Sequence, residues 1–416
     1  MIKTLKTTTL ACWLAGCLCL TTTGTTAAQA SAQDSVQEAA QTTTPTDSGD
    51  APMAQELTDK QIEQIFNDGK PIPRFNDSFT VEELSARCQN ARWAEPAPPD
   101  AISHGWYRAA TTLNATKRKN ARQYQDMIVL YEGAARRGHY RAMMHLIIEY
   151  SDGQKTWDDM LYKPEPEKAR MWIHEGLRRE WVGALEWLAT ALYDGSAGYR
   201  RNNDQSLAYL QLAAEKGSAL AQYQLGWHYD NVLKSITRGE ALYECAAAQG
   251  YISAANDKWA IIQRIYRNPE VALQNYQLAV MGGGQNGGEA AHSLYRGFAS
   301  SRPGGSNAQK ELNTFHDPIR AQAYKDLGAY LDDGYDSQGI ERVRNRFLRF
   351  PRLNEVLPLP PAVVTEWKGI YSAMSPEDAE YYQNPPPADY YIQQIINSGY
   401  LPPKGYLQEP VPYKEK

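Results

Sequence analysis

The sequence predicts an all-α chain built as a solenoid of stacked antiparallel helix pairs. Two observations carry this. In Tyr209 to Asn231, YLQLAAEKGSALAQYQLGWHYDN, the small residues Ala213 and Ala214 precede Gly217, and Ala221, Leu225 and Tyr229 follow at intervals of four. Intervals of four keep to one face of an α-helix. Glycine takes the left-handed turn conformation without a Cβ penalty, so Gly217 marks the end of one helix and the start of the next. The second observation is recurrence: the same skeleton appears about five times.

The first repeat runs through Tyr131, Ala134, Ala135, Gly138, Ala142, Leu146, Tyr150 and Gly153. The second holds Trp172, Gly176, Glu180, Ala184, Leu188, Leu192 and Gly195. The Tyr209–Asn231 stretch is the third. The fourth has Tyr243, Ala246, Ala247, Gly250, Ala254 and Ile262, with Lys258 where leucine is expected. The fifth has Tyr276, Ala279, Gly283, Gly287, Ala291, Tyr295 and Ala299. Taking Gly138, Glu180, Gly217, Gly250 and Gly287 as turn anchors gives spacings of 42, 37, 33 and 37. Uneven spacing in that range fits two-helix repeats joined by variable loops and not a coiled coil. Helix-entry residues precede the repeats: Pro164-Glu165-Pro166, Asn203-Asp204, Thr237 and Asn268-Pro269-Glu270. One repeat buries too little apolar surface to fold alone, so stacking must supply the rest.

The AA-x-x-G-x-x-x-A-x-x-x-L-G-x-x-Y pattern of 213–229 resembles the Sel-one-like repeat, a relative of the tetratricopeptide repeat. The resemblance covers roughly 120–300, with Glu180 and Lys258 departing from the pattern. It implies a right-handed α-solenoid that mediates protein–protein contacts and has no catalytic residues to carry over. VLPLPPAVVTEWKGIY at 356–371 resembles the C-terminal module of an uncharacterised family of Gram-negative exported repeat proteins of this kind.

The flanks read differently. Lys3 and Lys6, the apolar run Leu10 to Leu20 and the small-x-small site Ala28-Gln29-Ala30 read as an export signal over 1–30. A polar leader at 31–55 follows, of a composition that does not fold by itself. No later segment has the apolar length of a membrane span. The expected location is periplasmic or secreted. The alternative is a membrane-anchored lipoprotein, because Leu14-Ala15-Gly16-Cys17 resembles a lipobox in which Cys17 is lipidated. Residues 56–115 are expected to form an irregular N-terminal helical cap. It contains a helix at Leu57 to Phe66 with Thr58 as N-cap and another at Phe79 to Ala91 with a Thr80/Glu83 capping box. The repeats are assigned to 116–335. A further helix and a Pro/Tyr-rich extension occupy 336–416, where DYYIQQIINSG at 389–399 allows one short helix.

After Ala30 only Cys88 and Cys245 remain, and in an oxidising compartment they could form one bridge. The formal net charge of −5 and the absence of a long Lys/Arg run argue against nucleic-acid binding; RVRNRFLR at 342–349 reads as a solvated helix face. GGGQNG at 282–287 matches G-x-G-x-x-G, but a helix precedes it where a dinucleotide site needs a strand, so it reads as a repeat turn. No catalytic, cofactor or metal set is expected. The candidate partner-binding residues are Tyr131, Trp172, Tyr209, Tyr243 and Tyr276, which recur on the first helix of each repeat, and aromatics are enriched at binding hot spots. The competing reading places them in the core between repeats. The function expected is an exported, non-enzymatic scaffold that binds a partner protein along the solenoid. The family resemblance adds two alternatives: an immunity protein neutralising a periplasmic toxin, such as a phospholipase-like effector of type VI secretion, and a cell-wall-directed enzyme.

Overall fold

Four tight turns set the architecture. Gly138, Glu180, Gly217 and Gly250 have φ of 95°, 59°, 93° and 108°. In each, the amide of the next residue donates back to a carbonyl five positions earlier, on Ala134, Gly176, Ala213 and Ala246 respectively. This bond satisfies an otherwise orphaned carbonyl at the helix end. Glu180 therefore adopts the same left-handed geometry as its glycine counterparts although it carries a side chain.

The structure is a computed structural model. It describes residues 56–89, 93–114, 121–155, 160–265, 268–282, 284–332, 357, 359, 360, 362 and 386–399. The export signal over 1–30, the leader at 31–55, Cys17, the basic run at 342–349 and most of the Pro/Tyr extension lie outside the described residues.

The N-terminal region contains α1 (Asp59–Phe66), α2 (Val81–Gln89) and α3 (Ala101–Asn114). Thr58 and Gln61 form a reciprocal capping box on α1. Thr80 and Glu83 do the same before α2: the Thr80 amide donates to Glu83 and the Glu83 amide to Thr80 Oγ1. The repeats follow as α4 (Ala121–Arg136) with α5 (Tyr140–Asp152), α6 (Pro166–Arg178) with α7 (Val182–Asp194), and α8 (Asn203–Glu215) with α9 (Ala219–Trp227). Next come α10 (Ile236–Ala248) with α11 (Ile252–Ile265), and α12 (Pro269–Gly282) with α13 (Gly284–Ala299). Each helix packs on the next in sequence. The paired-helix array that the Sel-one-like resemblance implies is what the structure contains. α14 (Asn307–Leu312) and α15 (Pro318–Asp332) extend it, and α16 (Ala388–Asn397) returns to pack on α3 and α4.

Three features differ from expectation. The fifth turn does not fall at Gly287, which lies inside α13. A Cβ there would sit 3.0 Å from the Ala279 carbonyl oxygen, so this glycine serves close helix approach and not a turn. The helix α3 interrupts what was expected to be an irregular stretch, and it packs on α4 as a preceding partner helix. A short antiparallel pair, β1 (Gln154–Lys155) and β2 (Met160–Tyr162), lies between α5 and α6.

Close approach recurs where the third repeat meets the fourth. A Cβ on Gly239 of α10 would lie 2.9 Å from both the Gly226 carbonyl oxygen and the Asp230 Cβ. Two predictions follow from this geometry. Glu180→Gly removes a left-handed penalty and should raise stability by up to about 1 kcal/mol after the added chain entropy is counted. Gly239→Ala should lower it by about 1–3 kcal/mol, because backbone must move to admit the methyl group. Urea midpoints of the two variants against the parent check both.

Candidate functional site

The five aromatics expected at a partner surface are all in the interior. Tyr131, Tyr243 and Tyr276 are fully buried, and Trp172 and Tyr209 are 3% exposed. Their rings fill the space between helices and present no surface to a partner. The reason is geometric: the inward face of each first helix is covered by other parts of the same chain.

That cover comes from both flanks. From the N-terminal side, the Leu57 amide donates to His174 Nδ1 on α6 at 3.0 Å. Tyr209 on α8 donates to Asp59 at 3.2 Å. The Asn76 amide donates to Gln211 Oε1 at 2.9 Å, and the Tyr229 hydroxyl donates to the Asn76 carbonyl at 3.0 Å. Arg87 on α2 pairs with Glu215 at 2.6 Å, and α2 packs along α10. From the C-terminal side, Trp106 Nε1 donates to Gln394 on α16 at 3.2 Å, and the Ile395 side chain lies where a Cβ on Gly133 of α4 would be. Gln277 on α12 donates to the Leu357 carbonyl, and Leu357 is buried.

Surface left open lies elsewhere. Among the described residues of the repeats the exposed large apolar side chains are Ile148, Tyr193, Trp227, Val232, Leu233, Ile265 and Leu278. All but Ile148 and Leu278 sit at or just beyond the C-terminal ends of second helices. The densest group surrounds a π-helical turn, His228–Val232, that prolongs α9. There Trp227 is 43%, Val232 52% and Leu233 37% exposed. Lys234, immediately after, has φ of 55°, a strained value for a residue with a side chain. π-turns and backbone strain concentrate at functional sites.

The ionisable chemistry inside the array is dominated by burial. His174 is 3% exposed. Its Nδ1 accepts the Leu57 amide, so the ring proton resides on Nε2, which faces the Tyr199 hydroxyl at 2.8 Å. His139 repeats the arrangement: Nδ1 accepts the Ala142 amide as the cap of α5, and Nε2 meets His104 Nδ1 at 3.3 Å. Burial lowers His139 to about 3 and His174 to about 4, with nearby positive charge adding to it. Glu186 on α7 goes the other way, pushed up to about 8 by burial. Among the described residues no group of three or more His, Cys, Asp or Glu side chains could hold a metal ion. GGGQNG contributes the end of α12 and the first turn of α13. Cys245 is disulfide-bonded, and its helix α10 packs against α2, the helix that carries Cys88.

No family model matches the chain, and no curated protein does either. Among solved structures it is similar to the immunity protein Pa5087 from Pseudomonas aeruginosa, at 24% identity over 66% of this chain and 93% of that one, TM-score 0.48. It is also similar to the immunity protein PA5088 from Pseudomonas aeruginosa, at 23% identity over 69% and 95%, TM-score 0.46. A Sel1 repeat protein from Oxalobacter formigenes aligns at 16% identity over 68% and 72%, TM-score 0.30. With every TM-score below 0.5, none of these likenesses bears on what the chain does.

The histidine geometry predicts a pH response. A ring whose folded pKa is depressed stays neutral in the native state while the unfolded chain takes up a proton. Stability is therefore lost as pH falls from about 6.5 toward the folded value. At pH 5 the loss for His174 is about 2 kcal/mol. His174→Asn keeps an acceptor for the Leu57 amide and does not titrate. Thermal melts between pH 7 and pH 4.5 should show a smaller acid-induced drop in Tm for this variant than for the parent; equal drops would refute the assignment.

Proposed function

We propose that the chain is an exported, non-enzymatic scaffold that binds another protein through the open edge formed by the ends of its second helices. The observation that carries this reading is the exposed Trp227, Val232 and Leu233 group on a π-helical turn, next to a strained Lys234. Tryptophan is among the residues that most often anchor protein interfaces. Contiguous exposed apolar side chains are costly to leave in water, which argues for a covering partner. The first-helix face, where the partner was expected, is taken up by the chain itself. Among the described residues no helix is long and apolar enough to cross a membrane.

Within this reading, the narrower form is that the bound protein is a periplasmic toxin and the chain its immunity partner, as the repeat resemblance implies. We also propose that Cys88 is the partner of Cys245, which would fasten α2 to α10 in an oxidising compartment; a non-reducing peptide map tests this directly. The test of the functional reading uses the purified product of the adjacent gene. Trp227→Ser combined with Leu233→Ser should weaken its binding by at least about tenfold, the scale of a hot-spot residue, with Tm unchanged. Unchanged affinity would sink the docking assignment. Loss of toxicity on co-expression of that gene with the parent chain, and not with the double variant, would support immunity.

A further inference from the structure

Between α1 and α2 the chain crosses the array in a stretch that is neither helix nor strand, from Pro71 to Asn76, closing in a turn at Asp77-Ser78. Phe66 and Leu84, in the helices on either side, are buried, at 4% exposure each. No residue between them is fully buried; Ile72, Phe75, Asn76 and Phe79 are only half-buried. The segment is thus anchored at both ends and loosely seated in the middle. Few buried apolar contacts mean a low local cost of opening.

What holds the middle is mostly recognition of backbone. Gln211 accepts the Asn76 amide at 2.9 Å and Tyr229 donates to the Asn76 carbonyl at 3.0 Å. Arg238 donates to the Asp77 carbonyl. None of these three bonds depends on the identity of the segment's side chains. Its side-chain anchors are half-buried: Phe75 is edge-on to His228 at 5.5 Å and tilted against Tyr229 at 5.9 Å, and Ile72 and Phe79 rest against the core with it. Gln211 and Tyr229 are themselves buried, at 7% and 0% exposure, so these polar groups are built into the array and aimed at a passing main chain. Pro71 and Pro73 offer no amide to pair and stiffen the approach.

We propose that the groove formed by Gln211, His228, Tyr229 and Arg238 is a binding site for an extended polypeptide, and that residues 72–79 are its resident, displaceable occupant. The segment it takes is defined by what it holds now: an aromatic side chain, followed by a non-proline residue with free N–H and C=O, then a carbonyl within reach of arginine. An extended loop or terminus of another protein with that chemistry competes with the resident segment. The site shares the His228–Val232 turn with the Trp227 edge but uses none of the Trp227, Val232 or Leu233 side chains.

A fluorescein-labelled peptide of residues 70–80, KPIPRFNDSFT, is titrated into the full chain. A tethered occupant competes at high effective concentration, so the parent should bind the peptide weakly, and Phe75→Ala should bind it at least about tenfold more tightly. Adding Tyr229→Phe to Phe75→Ala should return the affinity to the weak level, and Trp227→Ser should leave it unchanged. Equal peptide affinity for the parent and Phe75→Ala, including no binding to either, overturns the proposal. So does retention of tight binding by the Phe75→Ala, Tyr229→Phe double variant. Because Phe75→Ala could disturb the fold, hydrogen exchange on the parent provides a second reading. Amides of residues 72–79, Asn76 included, should exchange well before those of α1 and α2; if the Asn76 amide exchanges only with global unfolding, the segment is a fixed part of the fold and the proposal fails.

Discussion

Everything in this molecule rests on how closely two helices of a repeat can approach. Alanine and glycine at the crossings let backbones come near enough for the large residues between repeats to interlock. A Cβ on Gly287 would lie 3.0 Å from the Ala279 carbonyl oxygen across the pair α12 and α13, which shows how little room remains. Once helices cross at that distance, the ring positions on first helices have nowhere to go but inward. Tyr131, Tyr243 and Tyr276 become the packing between repeats and not its decoration.

The buried side chains form two clusters. One runs from Ile62 to Leu242 and takes in Tyr391, Ile392 and Ile395; the other runs from Ala260 to Leu331 and takes in Leu357. The fourth repeat lies at the seam, and Cys245 sits there on α10. In both clusters the flanking segments contribute buried residues of their own. The flanks are therefore structural parts of each core, and they leave the second-helix ends as the open apolar surface of the repeats.

Local signals were legible in the sequence because their causes are local. Left-handed turns leave a glycine, and the capping boxes at Thr58 and Thr80 leave a Thr with Gln or Glu three residues on. Glu180 broke the glycine pattern, yet the surrounding spacing still located its turn. Gly287 misled because a glycine needed for close approach looks the same as one needed for a positive φ. The aromatic faces could not be assigned, since a ring at helical spacing reads identically whether it faces a partner or the next repeat. The cover on the first helices has no periodic trace at all: it joins residues more than a hundred positions apart, such as Leu57 with His174 and Trp106 with Gln394. The exposed edge at Trp227 was also missed, because the sequence spacing of α9 carries no mark of the π-turn that prolongs it.

The hydrogen bond from Trp106 to Gln394 spans 288 positions, and Tyr209 to Asp59 spans 150. An open repeat array has mainly neighbour contacts, so it can nucleate anywhere and fray from its ends. Here the chain's flanks tie early repeats to late sequence. Contacts of such separation slow folding, because loop closure is paid before the contact forms. They also join distant repeats into larger cooperative units, so unravelling from one end is opposed by elements that arrive from the other. A helix synthesised more than 200 residues after the first repeat completes it, and a chain truncated before Ala388 would leave the face of α4 uncovered.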